Sequence, residues 1–298
     1  MTDTPVNARS SADTPSEISG RGWREVLKRT WRESSQDNVN LVAAGVAFYA
    51  FLAFVPLLAA LVLTYGLVAE PATVVRHFQQ LTAVMPADAA RLIGEQLMSM
   101  TKTASTQKGL GLLLAILLSL YGAMRGATSI IVALNIVYNI AEDRSFVRKT
   151  GLAVLITAAA LVSLLAGILA ISALGWLEHL LPFSSRVVQT LLKLLSWVAA
   201  AAVVSFLIAA VYRYAPNRPN TRWRWLTPGS LAATVLWLLA TLGFGFYVAN
   251  FGNYNATYGS LGAVIVFLTW LYLIAYILLL GGELNSELEK QTTRRTTD

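Results

Sequence analysis

The chain has 298 residues, of which 56% are hydrophobic and 13% charged, with a net charge of +7 and a mean hydropathy of +0.58. A soluble domain carries about 25% charged residues, so this composition excludes an ordinary soluble enzyme and describes a chain facing lipid or other membrane helices. Cysteine is absent, which excludes disulfides, thiolate metal sites and cysteine nucleophiles. His77 and His179 are too far apart in sequence to suggest a metal cluster.

Residues 1–20 are rich in Ser, Thr, Pro and Asp and read as a disordered tail with no signal-peptide pattern. Residues 21–38 change character. Trp23, Val26, Leu27 and Trp31 recur at helical spacing on one side, and Arg24, Lys28, Arg29 and Arg32 cover the other. This amphipathic helix is expected either to lie in the membrane surface or to pack on the membrane domain.

Residues 39–289 form the membrane domain. Six apolar runs are long enough to span a bilayer, at about 41–68, 109–138, 151–176, 187–212, 226–249 and 258–282. The fold class is therefore all-α, a polytopic bundle of six transmembrane helices. Pro56 lies inside the first run and is expected to kink or break it. The long loop 70–108 carries two short apolar stripes, Val74–Leu81 and Ala89–Met100, which predict an extracytoplasmic helical loop that caps a cavity or covers helix ends. Residues 290–298 form a short polar tail. With the N-terminus inside, the inner segments hold 16 Lys and Arg and the outer loops 5, which predicts both termini in the cytoplasm. The positive charge is accounted for by this asymmetry, without nucleic acid.

Arg125 stands near the middle of the second run. A charge there costs about 2.5 kcal/mol or more and is normally turned inward. It is a candidate counter-ion for an anionic substrate, or else a buried structural partner. Gly122 and Gly126 form a GxxxG pair around it, read as helix packing. Asn135 and Tyr138, toward the inner end of the same run, either line a cavity or bond between helices. Glu283 and Glu287 are one turn apart at the inner end of the last run. They serve ion coupling or pair with the basic inner segments. Mid-span carboxylates are absent, which counts against a proton relay. The loop Tyr212–Pro219, with Arg222 to Trp225, interleaves basic and aromatic residues and is read as an anchor for anionic headgroups. The turn Asn250–Asn255 reads as a tight outer re-entry turn with interfacial aromatics.

The sequence resembles the YihY / virulence factor BrkB family of bacterial inner-membrane proteins, long labelled ribonuclease BN-like. The resemblance runs from about Trp23 to Glu289. It is carried by Ala47 to Leu57, by Ala133 to Tyr138 with Arg144 and Phe146, and by Tyr214-Ala215-Pro216-Asn217. Pro228-Gly229, Tyr258 to Gly262 and Gly281-Gly282-Glu283 complete it. It implies six spanning helices with both termini inside, in the inner membrane. The activities it suggests are envelope lipid transport, cation/proton exchange and resistance to host killing. Ribonuclease chemistry needs clustered metal ligands that this sequence does not supply.

The residues favour a transporter of an anionic lipid or envelope precursor, with Pro56, Arg125, Asn135 and Tyr138 as candidate substrate-binding positions. The alternatives are a cation/proton antiporter using Glu283 and Glu287, and a membrane scaffold bound to an envelope protein. Membrane lipids are the expected partners. Catalytic residues, metal and cofactor are not expected, and an ATP-binding loop of the GxxxxGK[ST] type is absent.

Overall fold

The computed structural model describes residues 18–65, 110–180, 186–218, 227–251 and 261–293. These form helices α1 (Gly20–Gln36), α2 (Val39–Tyr65), α3 (Leu110–Val137), α4 (Phe146–Leu180), α5 (Arg186–Tyr214), α6 (Pro228–Phe251) and α7 (Leu261–Thr293). Strands are absent among the described residues. Lipid offers no hydrogen bonds to backbone groups, so apolar runs of this length fold as helices, which satisfy their own.

Within α3, α4, α6 and α7, the segments Ile116–Val137, Phe146–Ala166, Pro228–Tyr247 and Val264–Gln291 are long and apolar enough to cross a membrane. α1 and the first part of α2 pass the same test as a bent pair, at 65° to each other, which raises the total to five. The described part of α5, Val198–Tyr214, is shorter. The chain is thus an all-α polytopic membrane protein. Leu114 and Leu118 of α3 and Leu239 and Leu242 of α6 face outward, as lipid-covered side chains do. The predicted helices of loop 70–108 and the turn residues 252–255 lie outside the described residues, as do residues 1–17 and 294–298.

α2 and α3 pack most intimately, and glycine is the reason. A Cβ added at Gly126 would lie 3.1 Å from Ala53 Cβ, and one at Gly122 would lie 2.8 Å from the Pro56 ring. The GxxxG pair is therefore a packing surface for α2. Of the kink or break expected at Pro56, the break does not occur: α2 runs unbroken from Val39 to Tyr65. A membrane helix tolerates proline where neighbours and local adjustments take up the freed groups, and the missing side chain of Gly122 leaves room for the ring. The break falls instead at Asp37-Asn38, where Asn38 has a φ of 50°. Asparagine is among the residues that adopt this left-handed conformation most readily.

The core lies where α2, α3, α5 and α7 meet, with Val39 and Val46 against Ile131, Leu134, Tyr212 and Leu279. α1 joins from the side. Its buried residues are Gly22, Val26, Thr30 and Ser34, an i, i+4 ridge that meets Leu284 and Leu288 of α7. Leu27 and Trp31, on the apolar side of α1 in the sequence, do not pack on the bundle: they are 56% and 65% exposed. α7 also exceeds its predicted end at 282, so Glu283 to Thr293 continue the same helix.

Candidate functional site

The candidate residues fall into two places. Pro56 and Arg125 flank the α2–α3 crossing at mid-helix. Asn135, Tyr138, Glu283 and Glu287 gather at the end of the bundle that carries α1.

Arg125 is 15 residues from Leu110 and 12 from Val137, or about 22 Å and 18 Å at the helical rise. Its side chain is exposed rather than turned inward. It shares a helical stripe with Leu114, Leu118, Tyr121, Val132 and Ile136, all exposed. The guanidinium donates to Tyr121 Oη at 3.2 Å and sits 5.6 Å from that ring's centre. Tyr121 is one turn earlier on the same helix, so the contact is local.

The α1 end holds a network of buried polar groups. Asn135, on the last turn of α3, donates from Nδ2 to Glu142 Oε2 at 2.8 Å. Its Oδ1 accepts from the backbone N–H of Asn217 at 2.8 Å. Glu142 receives a two-pronged contact from Arg144, at 2.6 and 2.7 Å. Arg144 also donates to the carbonyl of Ala215 at 2.8 Å. Asn135 is thus a structural tie between the α3–α4 turn and the residues after α5.

Glu142 lies in the turn after α3, outside the spanning segments. The Arg144 guanidinium hydrogen-bonded to it holds its carboxyl below the usual carboxylate range, and the Asn135 amide adds to this. The folded value is depressed, so the pair's contribution is complete above the ordinary glutamate value of about 4.3 and fades as pH falls through the lowered one. Thermal unfolding of the detergent-solubilised protein between neutral and acid pH tests this. The wild type is expected to lose more stability on acidification than Glu142→Gln, and equal slopes would remove the linkage.

Tyr138 is buried with its ring 4.0 Å beneath the Arg218 guanidinium. Arg218 also donates to Glu289 and to the carbonyl of Tyr212. The sequence reading gave Arg218 to the headgroup anchor, but the side chain turns into the bundle. Arg222 to Trp225 lie outside the described residues.

Glu283 and Glu287 have unlike surroundings. Glu287 pairs with Arg29 of α1 at 3.2 Å and with Lys290 at 2.8 Å. Both partners belong to the basic inner segments, one on α1 and one on its own helix. Glu283 is fully buried, and neither carboxyl oxygen meets a hydrogen-bond donor among the described residues. The acid facing it is Asp37, in the turn between α1 and α2. Asp37 was missed by the sequence reading because nothing local marks it; it reaches Glu283 through the bend. Groups of three or more His, Cys, Asp or Glu able to hold a metal ion are absent among the described residues.

Residues 30–298 match the family model described as virulence factor BrkB. The chain is 31% identical over 193 residues to "Putative ribonuclease-like protein YfkH" of Bacillus subtilis, covering 64% of this chain and 70% of that one. It is 26% identical over 270 residues to a "UPF0761 membrane protein" of Tolumonas auensis, covering 89% and 86%. A UPF0761 membrane protein of Paraburkholderia xenovorans is 29% identical over 264 residues, covering 86% of this chain and 58% of that one. No solved structure matches. With the family model matching nearly the whole sequence and an all-α membrane bundle beneath it, the chain belongs to the virulence factor BrkB family of membrane proteins.

Proposed function

We propose that the protein carries an anionic lipid or envelope precursor across the inner membrane, with Arg125 as the headgroup partner. The observation that supports this is the guanidinium on an outward apolar stripe at mid-helix. Such a charge is costly in hydrocarbon. Its one hydrogen bond among the described residues is to Tyr121, and a guanidinium has five N–H donors. A phosphate can take two of them at once. A headgroup moving along α3 would therefore meet a cationic halfway point, which lowers the barrier at the depth where it is highest. Because the stripe faces outward, the lipid tails stay in the bilayer throughout.

The test is translocation of fluorescent anionic and zwitterionic lipids in liposomes containing the purified protein. Anionic lipid is expected to move faster. Arg125→Gln is expected to slow it by about tenfold or more, the value of one charge-assisted hydrogen bond. Unchanged movement in the variant, or no movement above protein-free liposomes, would sink the reading.

A second reading, cation/proton exchange, is favoured by Glu283. A buried carboxylate without a partner costs several kcal/mol, and taking up a proton or a cation removes that cost. Arg29 and Lys290 are both engaged by Glu287. Exchange monitored with a pH-sensitive dye in vesicles is expected to be lost in Glu283→Gln, and vesicles indifferent to Na⁺ and K⁺ would dismiss it.

A further inference from the structure

α1 has two working faces. The inner one is built from Gly22, Val26, Thr30 and Ser34 and packs on Leu284 and Leu288. A Cβ added at Gly22 would lie 2.8 Å from Ile18 Cγ2, the side chain just before α1 that folds back into the same cluster as Leu284 and Leu288. At its edge Arg29 pairs with Glu287 at 3.2 Å and donates to Gln291 Oε1 at 2.6 Å. These contacts fix which way the helix is turned.

What that leaves outside is specific. Arg24, Leu27, Lys28 and Trp31 follow the i, i+3, i+4, i+7 pattern of one helical face. All four are exposed, Trp31 at 65%. Arg21 and Arg32 flank this face and are also exposed. Of the two acids of α1, Glu25 is exposed at the edge of this face beyond Arg32, on the side away from Leu27 and Trp31, and Glu33 lies on the opposite side. Glu33 reaches back to Arg32 at 3.5 Å. A fully water-exposed face has no use for Leu27 and Trp31, and a face meant for a protein core has no use for four cations.

We propose that this outer face of α1 is a docking surface for anionic phospholipid headgroups of the leaflet that α2 enters. Charge complementarity selects the occupant: the cations meet phosphates, while Leu27 and Trp31 enter the headgroup and acyl boundary, where tryptophan is enriched. The 65° bend at Asp37-Asn38 turns α1 away from the direction of α2 and toward the membrane plane. The surface is independent of Arg125 and stands whether or not the protein moves lipid.

The sequence contains no cysteine, so single labels need no background removal. Leu27→Cys and Glu25→Cys are spin-labelled in the full chain, reconstituted in nanodiscs of phosphatidylcholine alone or with phosphatidylglycerol. Collision with oxygen reports contact with lipid, and collision with a water-soluble nickel chelate reports contact with water. The label at 27 is expected to move from water to lipid when phosphatidylglycerol is present, and the label at 25 is not. Combining Leu27→Cys with Arg24→Gln and Lys28→Gln removes two cations from the face and is expected to shift the surface-bound equilibrium by about 30-fold. Equal nickel collision at 27 in both compositions would overturn the proposal. So would a composition response that survives the double charge removal, or a label immobilised in both compositions, as a protein partner would cause.

Discussion

Replacing Gly229 by alanine is expected to remove the folded protein from detergent extracts rather than merely weaken it. The added Cβ would overlap the carbonyl oxygen of Gly281 and lie 2.6 Å from Asn285 Cγ. Neither neighbour can step aside. Gly281 is itself hemmed in, since a Cβ there would lie 2.5 Å from Tyr212 Oη and 2.7 Å from Gly229 O. Asn285 is held by two hydrogen bonds, from the Gly229 N–H at 2.9 Å and to Thr227 Oγ1 at 2.9 Å. Relief requires α6 and α7 to separate, which breaks both bonds and opens the Tyr212 contact. Overpacking costs about 1–3 kcal/mol, and each buried polar group left unpaired costs about 1–3 kcal/mol more. The sum approaches the whole stability of a typical domain, about 5–15 kcal/mol. Gly45→Ala is the control, because an added Cβ there meets nothing within 4 Å. Monodisperse yield on size exclusion checks both. A Gly229→Ala protein as abundant as Gly45→Ala would mean the two helices do not approach this closely.

Arg218→Lys is expected to be nearly as damaging as Arg218→Ala, although it keeps the charge. The guanidinium spreads over three elements at once: it stacks 4.0 Å from the Tyr138 ring centre, donates to the Tyr212 carbonyl and meets Glu289. Lysine has no plane to stack and no fork to divide between two acceptors. Glu289 is 44% exposed, so the ion pair adds only about 1 kcal/mol or less; the greater loss, about 1.5–3 kcal/mol for a hydrogen bond to a charged group together with the ring contact, is expected in the lysine variant too. Thermal unfolding of the two variants beside the wild type decides the matter. A headgroup anchor behaves differently, because any cation serves it. Full rescue by lysine would return Arg218 to the membrane surface.

The apolar runs made the helices legible, because few other patterns survive in lipid. Gly122 and Gly126 were legible as a packing pair for the same reason. The polar network was not, and the distances in sequence explain it. Asn135 reaches Asn217 across 82 positions, and Arg144 reaches Ala215 across 71, so nothing local announces either partner. The motif Tyr214-Ala215-Pro216-Asn217 marks the place without saying that its backbone is what the network holds. Which face of α1 meets α7 was not legible, because hydropathy weighs Leu27 and Trp31 above Gly22, Thr30 and Ser34. Between membrane helices, small residues are what permit close packing. Glu283 looked interfacial because the apolar run stops there; the structure buries it fully, facing Asp37 of the α1–α2 turn.

α7 is 33 residues long, about 50 Å at the helical rise, against a hydrocarbon core of about 30 Å. Its surplus is the stretch that α1 grips through Leu284, Glu287, Leu288 and Gln291. Arg29 and Gln291 are 262 positions apart. A ribosome adds about 5–20 residues each second, so α1 waits on the order of ten seconds or more before its inner face has anything to bind. During that interval its ridge of Gly22, Val26, Thr30 and Ser34 has no partner, while its cations and Trp31 already have a bilayer beside them. The contact of α1 with α7 therefore cannot form before the final helix has been made.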